Sequence, residues 1–303
     1  MTKINKLGAV LPLCIRGSYD IDDLGRVEIL FRSLTAFSAP GLFGTFLVVT
    51  PSDEVQIVRQ RCEKWSHLGI EVISEEELIP ELVNHRELRG WRKQQLVKIA
   101  AARRIKEEFF ITFDADVICL KPISIDNLII DGRALLQYEY RSQHPKWWKS
   151  SARILKMDAD VGNVEYGMTV TPAILAKDLC NKLAEELSDK KYGSWVDKIC
   201  ALHKPKNPSN WTISRFLKSK WTEYSLYYLC AMKLQLLDQY HVTAGSADVP
   251  QLMLIHDSHP FENWDVAKSF SNKCPGLFCV VGSKSRLEPE VVWDKVKPFI
   301  PFE

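Results

Sequence analysis

The chain is expected to form an α/β fold with a doubly wound, mostly parallel sheet and a second half rich in helices and loops. Three observations lead to this. Short apolar runs at residues 9–15, 45–50 and 70–73 alternate with helix-like stretches at 20–37 and 52–65. A β-α-β-α-β order implies parallel strands joined by right-handed crossovers. Residues 109–118, Phe-Phe-Ile-Thr-Phe-Asp-Ala-Asp-Val-Ile, are dense in aromatic and β-branched side chains and read as a buried strand. After about residue 140 the pattern changes: 141–166 and 188–221 carry many basic residues, Trp and Pro with weaker periodicity.

Taken in order, 9–15 is the first strand. The helix over 20–37 has apolar positions at 27, 29, 30, 31 and 34 and is broken by Pro40-Gly41. Residues 45–50 form a second buried strand. Ser52, preceded by Pro51, is placed to cap a helix running to about Trp65. After the strand 70–73, residues 90–105 carry apolar side chains at 96, 97, 99, 100, 101 and 105, the stripe of a helix lying on a sheet. It leads into 109–118. A strand over 134–138, a buried helix over 224–237, a strand over 251–255 ending at His256, a late strand over 276–281 and a terminal helix over 289–297 complete the expectation. No repeat, low-complexity tract or linker divides the chain, so 1–303 is expected to be one domain.

The 303 residues are 46% hydrophobic and 26% charged, the balance of an ordinary soluble globular protein. A net charge of +2 gives no support to nucleic-acid binding. Eight cysteines lie scattered without a C-x-x-C pair, several inside apolar runs. They predict a reducing compartment, with Cys274 and Cys279 as core thiols rather than half a zinc site. No apolar run approaches membrane-span length, and the run at 9–15 lacks the small-residue cleavage site of a signal peptide. The expected location is the cytoplasm.

The chemistry concentrates at Asp114 and Asp116. In an extended segment two carboxylates separated by one residue point the same way. At the end of a buried strand they are costly unless neutralised, and carboxylate oxygen suits Mg²⁺ or Mn²⁺. An Asp-x-Asp pair also serves simply to cap a turn or the next helix.

Four pieces together carry a resemblance: the helix at 90–102, the strand with its Asp pair, Met-Thr-Val-Thr-Pro-Ala-Ile-Leu at 168–175, and Trp-Thr-Glu-Tyr-Ser-Leu-Tyr-Tyr at 221–228. In these the chain resembles the GT-A glycosyltransferases, the nucleotide-sugar-dependent superfamily with a DxD motif, and especially an uncharacterised bacterial branch of it. The resemblance implies Mn²⁺- or Mg²⁺-dependent transfer of a sugar from a nucleoside-diphosphate sugar to a hydroxyl acceptor. Residues 1–140 would bind the donor and 141–303 the acceptor. It further implies Asp114, Asp116 and His256 as metal ligands, and Glu223 with Asp116 as catalytic residues. Asp114, Lys98, Gln94, Gly167, Asp20 and Arg16 would contact the donor. Tyr224 stands where the superfamily's acidic motif has its second acid.

The expected acceptor is a carbohydrate or lipid-linked saccharide in surface polysaccharide synthesis. Trp147, Trp148, Trp211 and Trp221, set among basic residues, are expected near the acceptor cleft. Core or solvated-surface use is the default for such stretches, and peripheral contact with the inner face of a membrane is the other. Two alternatives stand beside the transferase. A sugar-nucleotide pyrophosphorylase would carry a glycine-rich phosphate loop after the first strand, where this chain has Arg16-Gly17-Ser18-Tyr19-Asp20. The other is a non-catalytic carbohydrate-binding protein on a degenerate transferase fold.

Overall fold

The computed structural model describes residues 4–203, 220–246, 248–249, 251–255 and 258–301. Its centre is a five-stranded sheet. β1 (Leu7–Pro12), β2 (Phe43–Thr50), β3 (Ile70–Ser74) and β4 (Phe109–Thr112) run parallel, with β4-β1-β2-β3 as neighbours. Every residue of β1 and β4 is buried, which is why these segments read as unbroken apolar runs. The Asp23–Phe37 and Val55–Cys62 helices make the crossovers, and the Gly90–Ala100 helix precedes β4. The expected α/β architecture with a parallel-rich sheet is present.

Residues 109–118 are not one strand. β4 stops at Thr112, the chain turns through Asp114-Ala115-Asp116, and β5 (Val117–Cys119) leaves for another sheet. There it pairs antiparallel with β13 (Gly276–Val280), which runs parallel to β12 (Leu252–Ile255). Phe113 explains the break. Its ring stacks on Phe46 of the main sheet at 6.0 Å and meets Phe278 of the second sheet edge-on at 5.9 Å. The aromatic that made the run look continuous is the plug between two sheets. The backbone N–H of Val281 donates to the Asp116 carbonyl at 3.0 Å and ties the turn to the second sheet.

Residues 134–138 do not continue the main sheet. β7 (Arg133–Leu136) joins β6 (Ile129–Ile130) and β11 (His241–Thr243) in a separate three-stranded sheet. The main sheet is closed instead by β10 (Ala173–Ala176), antiparallel to β4, and β8 (Tyr138–Tyr140) pairs with β9 (Tyr166–Met168). The first helix starts at Asp23, capped by Asp22, whose carboxylate accepts from the Gly25 N–H at 2.9 Å. Ser52 does not cap the second helix. Its hydroxyl bonds Glu76, and Glu54 occupies the N-cap position. None of the eight cysteines is joined in a disulfide.

Candidate active site

β1 and β4 end on the same edge of the parallel sheet, and the Asp114–Asp116 turn lies there. Carboxyl ends of parallel strands are where doubly wound folds gather ligands. The Gly90–Ala100 helix brings Lys98 to this edge. Lys98 is only 4% exposed, and its ammonium lies 2.8 Å from Asp114 Oδ1 and 3.1 Å from Glu223 Oε1, and donates to Thr171 Oγ1 at 2.8 Å. Three residues expected from sequence thus meet around one nitrogen.

Glu223 arrives as the first residue of the Glu223–Lys233 helix. Thr222 caps that helix, accepting from the Ser225 N–H while Ser225 Oγ accepts from the Thr222 N–H. The helix start is nearly all buried because Trp221 before it is fully buried, its indole N–H on His203 Nε2 at 2.8 Å. Tyr224 bonds the Thr112 and Thr171 hydroxyls at 2.7 Å each, and Lys98 lies 5.4 Å from its ring centre. Sequence reasoning missed Thr112 and Thr171. The signal was their hydroxyls in segments otherwise apolar, at the end of β4 and just before β10.

Burial pulls the Lys98 ammonium down, but Asp114, Tyr224 and Glu223 outweigh it and hold its pKa well above the ordinary lysine range. Burial pushes Glu223 up, against the pull of Lys98. Arg92 is drawn down to about 10 by burial. It donates to the Trp221 carbonyl at 2.8 Å, and Glu223 opposes the shift.

Asp116 stands in a different environment. Burial followed by the Asp114 charge pushes it up to about 7, against the pull of Arg26 and a hydrogen bond from its own backbone N–H. Asp23, at the start of the first helix, is pushed up to about 6 by burial, with Asp114 and Asp22 adding to it and Arg26 opposing. A Cβ on Gly17 would lie 1.6 Å from Asp23 Oδ2, so glycine there makes room for the carboxylate. Arg26 is buried and counters both acids through space. Its guanidinium is tied to Ser283 Oγ at 3.3 Å and the Leu287 carbonyl at 3.0 Å, with Nε unpartnered. Neither Asp23 nor Arg26 was singled out from sequence, because both sit inside an amphipathic helix pattern that looks structural.

The other expected residues fall elsewhere. Arg16 and Asp20 pair on an exposed turn after β1, with Arg16 Nη1 donating to the Asp20 carbonyl at 3.0 Å. Gln94 is half-buried, and the buried glutamine is its neighbour Gln95. Gly167 lies in β9, where an added Cβ would come within 2.2 Å of the Trp148 ring, so packing alone accounts for this glycine. Trp148 and Trp221 are buried in the core, and Trp147 stacks on His144 at 3.7 Å. Trp148 and Trp221 therefore offer no face to an acceptor, which corrects that expectation for these two, while Trp147 is half-buried with His144 against one face. His256 and Trp211 lie outside the described residues. No group of three His, Cys, Asp or Glu side chains among the described residues converges closely enough to hold a metal ion.

The mixed α/β fold with its parallel-rich central sheet is similar to a glycosyltransferase fold. The chain matches the crystal structure of mouse xyloside xylosyltransferase 1, apo form, with a TM-score of 0.50 over 93% of this chain and 99% of that one, at 11% identity. It belongs to the family described as a family of unknown function, DUF6492, whose model matches residues 4–303. No curated protein sequence matches it.

Proposed function

We propose that the protein moves a sugar from a nucleoside-diphosphate sugar to a hydroxyl of a saccharide acceptor, with Mn²⁺ or Mg²⁺ held by Asp114 and Asp116. The observation that carries this reading is the buried Lys98 ammonium set between Asp114 and Glu223 at the carboxyl edge of the sheet. It couples the acid of the donor side to the acid of the acceptor side in one bonded unit.

The donor set fits a hard divalent cation. Burial first, and then neighbouring carboxylates, push Asp116 and Asp23 up against the opposing Arg26. Two carboxylates, completed by phosphate and water, suffice for Mg²⁺; His256 is the proposed third protein ligand. When bound, the cation supplies Lewis-acid stabilisation of the leaving diphosphate.

The chain's own residues supply the rest. Lys98 fixes the Asp114 carboxylate and, by staying charged, favours the ionised form of Glu223 that burial disfavours. Ionised Glu223 accepts the proton of the acceptor hydroxyl as it attacks. Tyr224, anchored by Thr112 and Thr171, holds Lys98 from the ring side. The pyrophosphorylase alternative loses ground at Gly17, because the Asp23 carboxylate packs against this glycine and like charge disfavours a phosphate there.

The test is turnover of a panel of nucleoside-diphosphate sugars with Mn²⁺, with and without chelator, on the parent and on Asp114→Asn and Asp116→Asn. Loss of turnover in both variants with the fold retained is expected. Full activity of both in excess chelator overturns the metal-dependent reading.

A further inference from the structure

Trp91, in the first turn of the Gly90–Ala100 helix, is 47% exposed. One of its faces is covered by the Arg92 guanidinium, 4.4 Å from the ring centre. Arg92 is fixed in turn by its bond to the Trp221 carbonyl, two residues before Glu223, and lies 5.3 Å from the Trp221 ring. Trp91, Gln95 and Lys98 are spaced i, i+4, i+7 and so share one face of the helix. That face runs from the exposed indole to the ammonium that touches Glu223.

A single exposed tryptophan is by itself unremarkable on a protein surface. Gln95 supplies the independent observation. It is 2% exposed, and its Oε1 accepts from Arg92 Nη1 at 3.3 Å, while its Nε2 has no partner. A buried donor left unmade costs free energy that native proteins rarely leave unrecovered. The orphan lies beside the guanidinium that backs the exposed indole.

We propose that Trp91, Arg92 and Gln95 form a subsite for a saccharide ring of the acceptor. The ring lies on the free face of Trp91, and one of its hydroxyls accepts from Gln95 Nε2. This rests on the transferase reading and adds to it the path by which the acceptor reaches Glu223: along the helix from its N-terminal end. A saccharide is favoured because it combines an apolar C–H face for the indole with hydroxyls for the amide.

The direct test needs no turnover. Protein labelled with 5-fluorotryptophan, its Trp91 resonance assigned by Trp91→Phe, is titrated with cellobiose, maltose, lactose and N,N′-diacetylchitobiose. At least one disaccharide should move that resonance saturably, and Gln95→Leu should weaken the binding roughly tenfold in protein that still unfolds cooperatively. In a transfer assay Trp91→Ala should raise the acceptor KM roughly tenfold relative to the donor KM, with Trp91→Phe close to the parent. The subsite is overturned if no disaccharide moves the Trp91 resonance, or if both KM values rise together. Absence of turnover by the parent across the donor panel would sink the transferase reading and leave the resonance experiment to decide the subsite alone.

Discussion

Asp114 and Asp116 are separated by one alanine and live in opposite circumstances. Asp114 belongs to a closed network in which the Lys98 ammonium faces two carboxylates and a hydroxyl, each within 3.1 Å. Asp116 belongs to an open cluster with Asp23, where the nearest compensating cation, Arg26, is bonded to Ser283 and Leu287 instead. The first region has a bonded counter-charge supplied by the protein, whereas the second is opposed by Arg26 only through space. Buried charge is tolerated when paired and hydrogen-bonded, and shifts its proton affinity when it is not.

The largest effect expected from this contrast is at Lys98. Lys98→Met leaves Asp114 and Glu223 without their counter-charge and should cost about 3–5 kcal/mol in denaturant unfolding, along with turnover. A loss below about 1 kcal/mol would mean that the network is not closed, and the contrast would collapse.

Asp116→Asn should behave in the opposite way. Turnover is expected to fall by about 10²–10³-fold, yet the fold should be as stable as the parent or more so at neutral pH. The pH dependence sharpens this. An aspartate in the unfolded chain ionises near pH ~4, whereas folded Asp116 keeps its proton up to about 7 and Asp23 up to about 6. Between those values the folded state binds more protons, so stability falls as pH rises from ~4 to ~7. Asp116→Asn should flatten that slope, and added Mn²⁺ should raise Tm most at the upper end of the range. A melting-temperature profile identical in parent and variant would place the excess charge elsewhere.

Gly167→Ala measures packing alone. The new methyl meets the buried Trp148 ring, and about 1–3 kcal/mol of stability should be lost with the donor KM unchanged. A donor-specific loss would return this glycine to the donor site. The smallest effect concerns charges balanced by water only. Lys146, Lys149 and Arg153 are exposed on the Pro145–Ile154 helix, and a membrane-facing role there predicts weak binding to anionic vesicles, about 1 kcal/mol per residue and lost at high salt. Sedimentation without binding at low salt would end the membrane proposal.

Much of the fold was legible in the sequence. β1 to β4 and the helices between them rest on apolar runs and periodicities that are local properties of the chain. The order of those elements is enough to make the sheet parallel, and it puts Asp114 and Asp116 at a strand's carboxyl end. Lys98 could be named too, as a polar position in an otherwise sheet-packing helix, and Glu223 through the family resemblance. Asp23, Arg26, Thr112 and Thr171 could not. Each fits its own helix or strand pattern, and nothing local marks the partner it will meet.

What the tertiary structure decided is how side chains distant in sequence converge. The sequence determined that carboxylates would be left at the edge of a buried sheet. Only the packing of Phe113 between two sheets decided that they would sit in a turn, with Asp114 directed to Lys98 and Asp116 buried near Arg26. Secondary structure follows from backbone preferences and local apolar spacing, which a sequence carries in full. The balance of charge at a site depends on distances between residues up to 125 positions apart, as from Lys98 to Glu223, and those distances exist only once the core has closed.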